Sequence, residues 1–119
     1  MMGAGKRGKD MIDWARVENL REEIGADDFE QVVAMFLEEA DDAIIRLRGA
    51  HDAKALESDL HFLKGSALNL GFSELAQICQ LGERMASAGE TGLRIEDVAQ
   101  VYQTSRQAFL GRIDGSVAA

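Results

Sequence analysis

Apolar side chains recur along this chain at spacings of three and four residues, and no segment shows the strict alternation of a half-buried strand. Five segments carry the helical period. The first opens at Asp13, an expected N-cap, with Ile12 and Val17 placed as a hydrophobic staple and Gly25 as the stop. A second starts where Asp27 and Glu30 have capping-box spacing, and holds Phe29, Val32, Val33, Phe36, Leu37, Ala40, Ile44 and Leu47 on one face for about five turns. Its opposite face is acidic, with Glu38, Glu39, Asp41 and Asp42. The third covers residues 52 to 70, where Leu56, Leu60, Leu63, Ala67 and Leu70 form a stripe and Gly71 takes the left-handed position past the end. Ser73 is the expected cap of the fourth, whose apolar set is Leu75, Ile78, Cys79, Leu81, Met85 and Ala86 and which stops near Gly89. After a Gly89-Glu90-Thr91-Gly92 loop, Ile95, Val98, Ala99, Tyr102, Phe109, Leu110 and Ile113 mark a fifth.

This pattern predicts an all-α protein: an antiparallel up-down four-helix bundle with a short additional N-terminal helix. The 119 residues suffice for one core but not two, and the absence of proline allows long uninterrupted helices. Residues 12–115 read as a single domain, residues 1–11 as a flexible Gly- and Lys-rich tail, and residues 116–119 as a frayed end. Residues 3–9 match the glycine and lysine spacing of a phosphate-binding P-loop. Asp10 stands where Ser or Thr should bind magnesium, and no apolar strand precedes it, so that reading is rejected.

A formal charge of −8 argues against nucleic acid or an anionic membrane as partner, since both need clustered Lys and Arg, and favours a basic patch on another protein. The one cysteine, Cys79, lies in an apolar stripe and reads as core; a disulfide within the chain and a thiol-rich metal site are both excluded. Neither a signal peptide nor a bilayer-spanning run is visible, which leads to the expectation of a cytoplasmic protein. Glu38, Glu39, Asp41 and Asp42 crowd one helix face and read as a solvated surface rather than a metal site. His51, near a helix junction, reads as an ordinary surface or loop histidine.

The chemistry is expected on the third helix. At about 100° per residue, His61 points roughly 140° away from the centre of the apolar stripe. Lys64 follows one turn later, close enough to hold an anion beside the imidazole. Gly65 costs on the order of 1 kcal/mol relative to alanine inside a helix, and its place nearly opposite the core makes close approach by a partner a better reason for it than internal packing. Leu68 falls on the same outer flank and suits a small apolar docking patch. A neutral imidazole nitrogen is nucleophilic, and a phosphorylated one is a good leaving group, so the arrangement suits a phosphoryl acceptor that another protein must reach.

The run His61-Phe62-Leu63-Lys64-Gly65-Ser66-Ala67, followed by Asn69 and Gly71, resembles the signature of histidine-containing phosphotransfer (HPt) domains of multistep His-Asp phosphorelays. The likeness extends to Phe36-Leu37-Glu38-Glu39-Ala40 and to Leu75, Cys79, Leu81 and Glu83, from about residue 13 to about 113. It implies that His61 takes a phosphoryl group from the aspartyl phosphate of a response-regulator receiver and passes it to another, with a hybrid sensor kinase upstream. Lys64 would face the phosphate; Gly65, Leu68, Glu57 and Ser58 would meet the receiver. Many members hold the ring with a glutamine from the next helix. Glu83 stands there in this chain, with Gln80 and Arg84 as further candidates for orienting the ring or offsetting charge. The resemblance also implies a phosphocarrier rather than an enzyme. No ATP site or autokinase activity, no bound cofactor and no metal are expected of this chain, and Mg2+ is expected on the receiver.

Two other readings stay open on sequence alone. The same bundle could dock or sequester a receiver without phosphotransfer. A histidine-kinase dimerisation domain also carries a helical histidine, but usually with an acidic residue directly after it and a proline downstream; Phe62 follows here and proline is absent. Enough helices are present to close one bundle, so a monomer is expected.

Overall fold

The computed structural model describes residues 11–50 and 52–118, with side chains to residue 113. It is all-helical, with five helices among those residues: α1 (Trp14–Ile24), α2 (Ala26–Arg48), α3 (Ala53–Leu70), α4 (Ser73–Ser87) and α5 (Ile95–Ala118). Helices α2 to α5 enclose one core in which Leu60, Leu63, Phe72, Leu75, Cys79, Val98 and Phe109 are fully buried. The predicted stripe of α3 is that core face, since Leu56, Leu60, Leu63, Ala67 and Leu70 are all buried.

Helix α3 has strong punctuation at both ends. Asp52 caps it, its carboxylate accepting from the Ala55 amide at 2.8 Å. At the other end Gly71 is left-handed (φ 81°), and the Phe72 amide donates to the Ala67 carbonyl at 2.8 Å in a Schellman-type stop. Only Gly71 and Phe72 separate α3 from α4, so the two helices fold back on each other as a hairpin. Residues equally far from Phe72 face across it, as His61 and Glu83 do.

Helix α1 closes the end of the bundle at this hairpin turn. Asp13 caps it through the Arg16 amide, as expected, while its own amide donates to the Gly71 carbonyl at 2.7 Å. Arg16 Nε adds a bond to the Asn69 carbonyl. Trp14 stacks on Phe109 of α5 with ring centroids 5.9 Å apart, and the Arg112 guanidinium lies over the Trp14 ring at 4.3 Å. On the far side of the core, Tyr102 of α5 lies 2.5 Å from Asp41 Oδ1 and 3.2 Å from the Leu37 carbonyl of α2. Its single hydroxyl proton goes to the shorter, charge-assisted partner.

Several local expectations need correction. Helix α2 begins at Ala26, because the Asp28 and Phe29 amides already donate to Gly25; Asp27 is inside the first turn, where it faces the helix dipole instead of capping. Ser73 is the first helical residue of α4 and makes no capping bond, since the stop of α3 leaves buried Phe72 at the cap position. Leu81 is half exposed, as the core face of α4 runs through Leu75, Cys79, Gly82 and Ala86. Asp41 is a half-buried tether for Tyr102 with Arg106 3.6 Å away, not part of a solvated face. Met11, assigned to the tail, packs against the core, and α5 continues through residue 118 where fraying was expected. The P-loop-like segment and His51 lie outside the described residues.

Gly71 offers a direct check of the closed end. A Cβ there would stand 2.8 Å from the Asp13 carbonyl oxygen, on a residue already at positive φ. Gly71→Ala is expected to destabilise the protein by about 2–3 kcal/mol in urea unfolding, combining left-handed strain with a backbone clash.

Candidate functional site

Helix α3 presents His61, Lys64, Gly65 and Leu68 away from its core stripe, and α4 supplies a carboxylate that reaches both His61 and Lys64 from across the groove. Glu83 Oε2 lies 2.7 Å from His61 Nδ1, and Glu83 Oε1 lies 2.8 Å from Lys64 Nζ. The imidazole is 70% exposed, whereas Lys64 and Glu83 are largely covered. With Nδ1 turned to a carboxylate, a neutral ring carries its proton there and leaves the Nε2 lone pair free. The neighbouring amine and carboxylate are packed beneath it.

Partial burial alone would push the Glu83 carboxyl up. Its bond to Lys64 and its bond to His61 outweigh that effect and hold it below the usual carboxylate range. Beneath it, Cys79 is fully buried; burial, with the Glu83 charge nearby, pushes its thiol up to about 12, which suits an inert core residue.

Gly65 is exposed, and a Cβ built on it would meet nothing within 4 Å. Internal packing therefore gives no reason for it. Leu68 is 57% exposed one turn along. Upstream, Glu57 and Ser58 line an open hollow of about 300 Å³ together with Lys54, His61 and Glu83. Gln80 and Arg84 make no hydrogen bond to the ring; with Glu57, Lys64, Glu83 and Ser87 they line a smaller hollow of about 170 Å³ in the same groove. Of the three candidates for the ring's partner, the structure brings only Glu83 to it. Lys54 was not singled out from the sequence, although its spacing of two helical turns from His61 is visible there. Among the described residues no group of three or more His, Cys, Asp or Glu side chains is placed to hold a metal ion.

The family model described as the Hpt domain matches residues 31–114, well over half of the chain. The chain belongs to the Hpt domain family. Hpt domains are helical bundles that carry out histidine phosphotransfer in phosphorelays, as phosphocarriers working with receiver domains and hybrid kinases. The Hpt match takes in α3, α4 and both sides of the His61–Glu83 contact; α1 precedes it. Searches of the curated proteins and of the solved structures returned no match. No helix among the described residues is long and apolar enough to cross a membrane.

The pairing of Glu83 has a measurable consequence. A carboxyl that titrates lower when folded than when unfolded contributes its stability above the ordinary carboxylate range, and loses it as pH falls through the folded-state value. At neutral pH, Glu83→Gln is expected to be less stable than the wild type by about 1 kcal/mol in urea unfolding. Toward pH 3 the difference is expected to shrink; a gap that widens with acid would contradict the depressed titration.

Proposed function

We propose that His61 is the phosphoryl acceptor and donor of this Hpt domain. The single observation that supports it most is the 2.7 Å contact of Nδ1 with Glu83, which leaves Nε2 as the free, solvent-facing nitrogen. In the forward step, the Nε2 lone pair attacks the phosphorus of a receiver's aspartyl phosphate. The N–P bond forms, the P–O bond to the aspartate breaks, and the aspartate departs as a carboxylate. The proton on Nδ1 stays in place, so the ring becomes cationic as it is phosphorylated, and Glu83 stabilises that developing charge. Transfer to a second receiver reverses these changes.

Lys64 answers the difficulty a carboxylate creates for an incoming anion. Paired at 2.8 Å, it neutralises Glu83 toward the outside while leaving the bond to the ring intact. Glu83 is then the ring-orienting group, and Lys64 stands within the same turn of helix to meet the phosphoryl oxygens. Gly65 gives clearance to the receiver's active-site rim, with Leu68, Glu57 and Ser58 around it. Mg2+ and the aspartate belong to the receiver. We infer no ATP site and no autokinase activity, with a hybrid sensor kinase as the upstream source, a monomer as the working form and the cytoplasm as its place.

Incubation with a phosphorylated receiver and Mg2+ is expected to give an acid-labile, base-stable label on the wild type and none on His61→Gln. Equal labelling of His61→Gln would overturn the assignment, and receiver binding without any transfer would favour a docking role. Gly65→Ala separates docking from folding: it is expected to raise stability by up to about 1 kcal/mol while raising KM for the receiver. A gain in stability with KM unchanged would remove Gly65 from the interface.

A further inference from the structure

The hollow upstream of His61 has an unequal charge lining. Glu57 and Glu83 bring two carboxylates to it, and Lys54 is the one cation among its walls. Lys64, the cation expected to meet the phosphate, has its ammonium on Glu83 and is only 21% exposed. A phosphoryl dianion arriving at Nε2 therefore meets a surface on which the Lys64 ammonium is already neutralising a carboxylate.

Helix geometry puts Lys54 on the same face as that group. Seven residues are two turns, so Lys54 and His61 stand within about 20° of each other on α3 and about 10.5 Å apart along its axis. Side chains on a helix lean toward its N-terminus, which carries the imidazole over the preceding turn of Glu57 and Ser58. The same lean carries Lys54 toward the helix start, so its flexible four-carbon stem turns back along α3 to reach the phosphoryl group, within the hollow that both side chains line. Lys54 is exposed, and it makes no ion pair with the described residues.

We propose that Lys54 is a second phosphoryl-facing cation of this site, closing over the N-terminal side of the phosphoryl group on Nε2 while Lys64 remains with Glu83. This rests on His61 being the acceptor. Lys54 leaves the proton balance of transfer unchanged; its ammonium offsets charge on the phosphoryl oxygens during transfer and in the phosphorylated chain. Ser58, exposed on the wall between the two residues, adds a hydroxyl donor to the same hollow.

The test compares wild type, Lys54→Ala and Lys54→Arg, each supplied with the same phosphorylated receiver and Mg2+. Saturating transfer rates and the 31P resonance of the phosphorylated chain are read for all three. Lys54→Ala is expected to lower the saturating rate about fivefold to tenfold and to move the resonance, with Lys54→Arg restoring both. A wild-type rate and resonance in Lys54→Ala, or a change in KM alone with the resonance unmoved, would overturn the assignment of Lys54 and leave His61 standing. Label persisting on His61→Gln would overturn both.

Discussion

The site depends on how closely α4 approaches α3 at Gly82. A Cβ on that residue would stand 2.9 Å from Leu60 Cδ1 and 2.6 Å from Leu93 Cδ2, so any side chain there requires the flexible ends of these two leucines to shift. A glycine within a helix weakens that helix, and here it permits close packing of the hairpin at the level of His61. The next residue, Glu83, is thereby carried to hydrogen-bond distance of an imidazole and an ammonium on the facing helix. The hairpin itself follows from the sharp stop at Gly71 and from Phe72, which leaves the turn to pack edge-on against Phe109 at 5.3 Å.

Held there, one carboxylate performs two tasks that a neutral amide could not combine. One oxygen fixes the ring and, in the proposed transfer, favours the cationic form that phosphorylation of Nε2 produces. The other carries the ammonium of Lys64, which limits the repulsion of an anionic substrate. The two glycines of the site serve opposite purposes. Gly82 is closed in by the ends of Leu60 and Leu93 where the hairpin packs, while Gly65 is open and leaves a bare stretch of backbone at the surface.

Much of this was legible in the sequence because it is local and periodic. The apolar stripe of α3, its start near Asp52 and the stop at Gly71 are short-range features, and the exposed side carrying His61, Gly65 and Leu68 follows from them. Features decided across helices were not. Glu83 could be named only as one of three candidates, since spacing along α4 does not say which residue the packing at Gly82 delivers to the ring. Asp41 reads as one more acidic surface residue until Tyr102 arrives from α5. Leu81 and Ser73 were misread for a related reason. Their own types suggest core and cap, and the actual choice was made by the register of the hairpin, which buried Phe72 and Gly82 in their place.

The role of Glu83 turns on which ring nitrogen of His61 carries the phosphoryl group. In a long-range 1H–15N spectrum of the phosphorylated chain, phosphorus is expected on Nε2 of His61 with a proton retained on Nδ1, and that proton's signal is expected to change in Glu83→Ala. Phosphorus on Nδ1 would contradict that role, because that nitrogen would have had to give up Glu83.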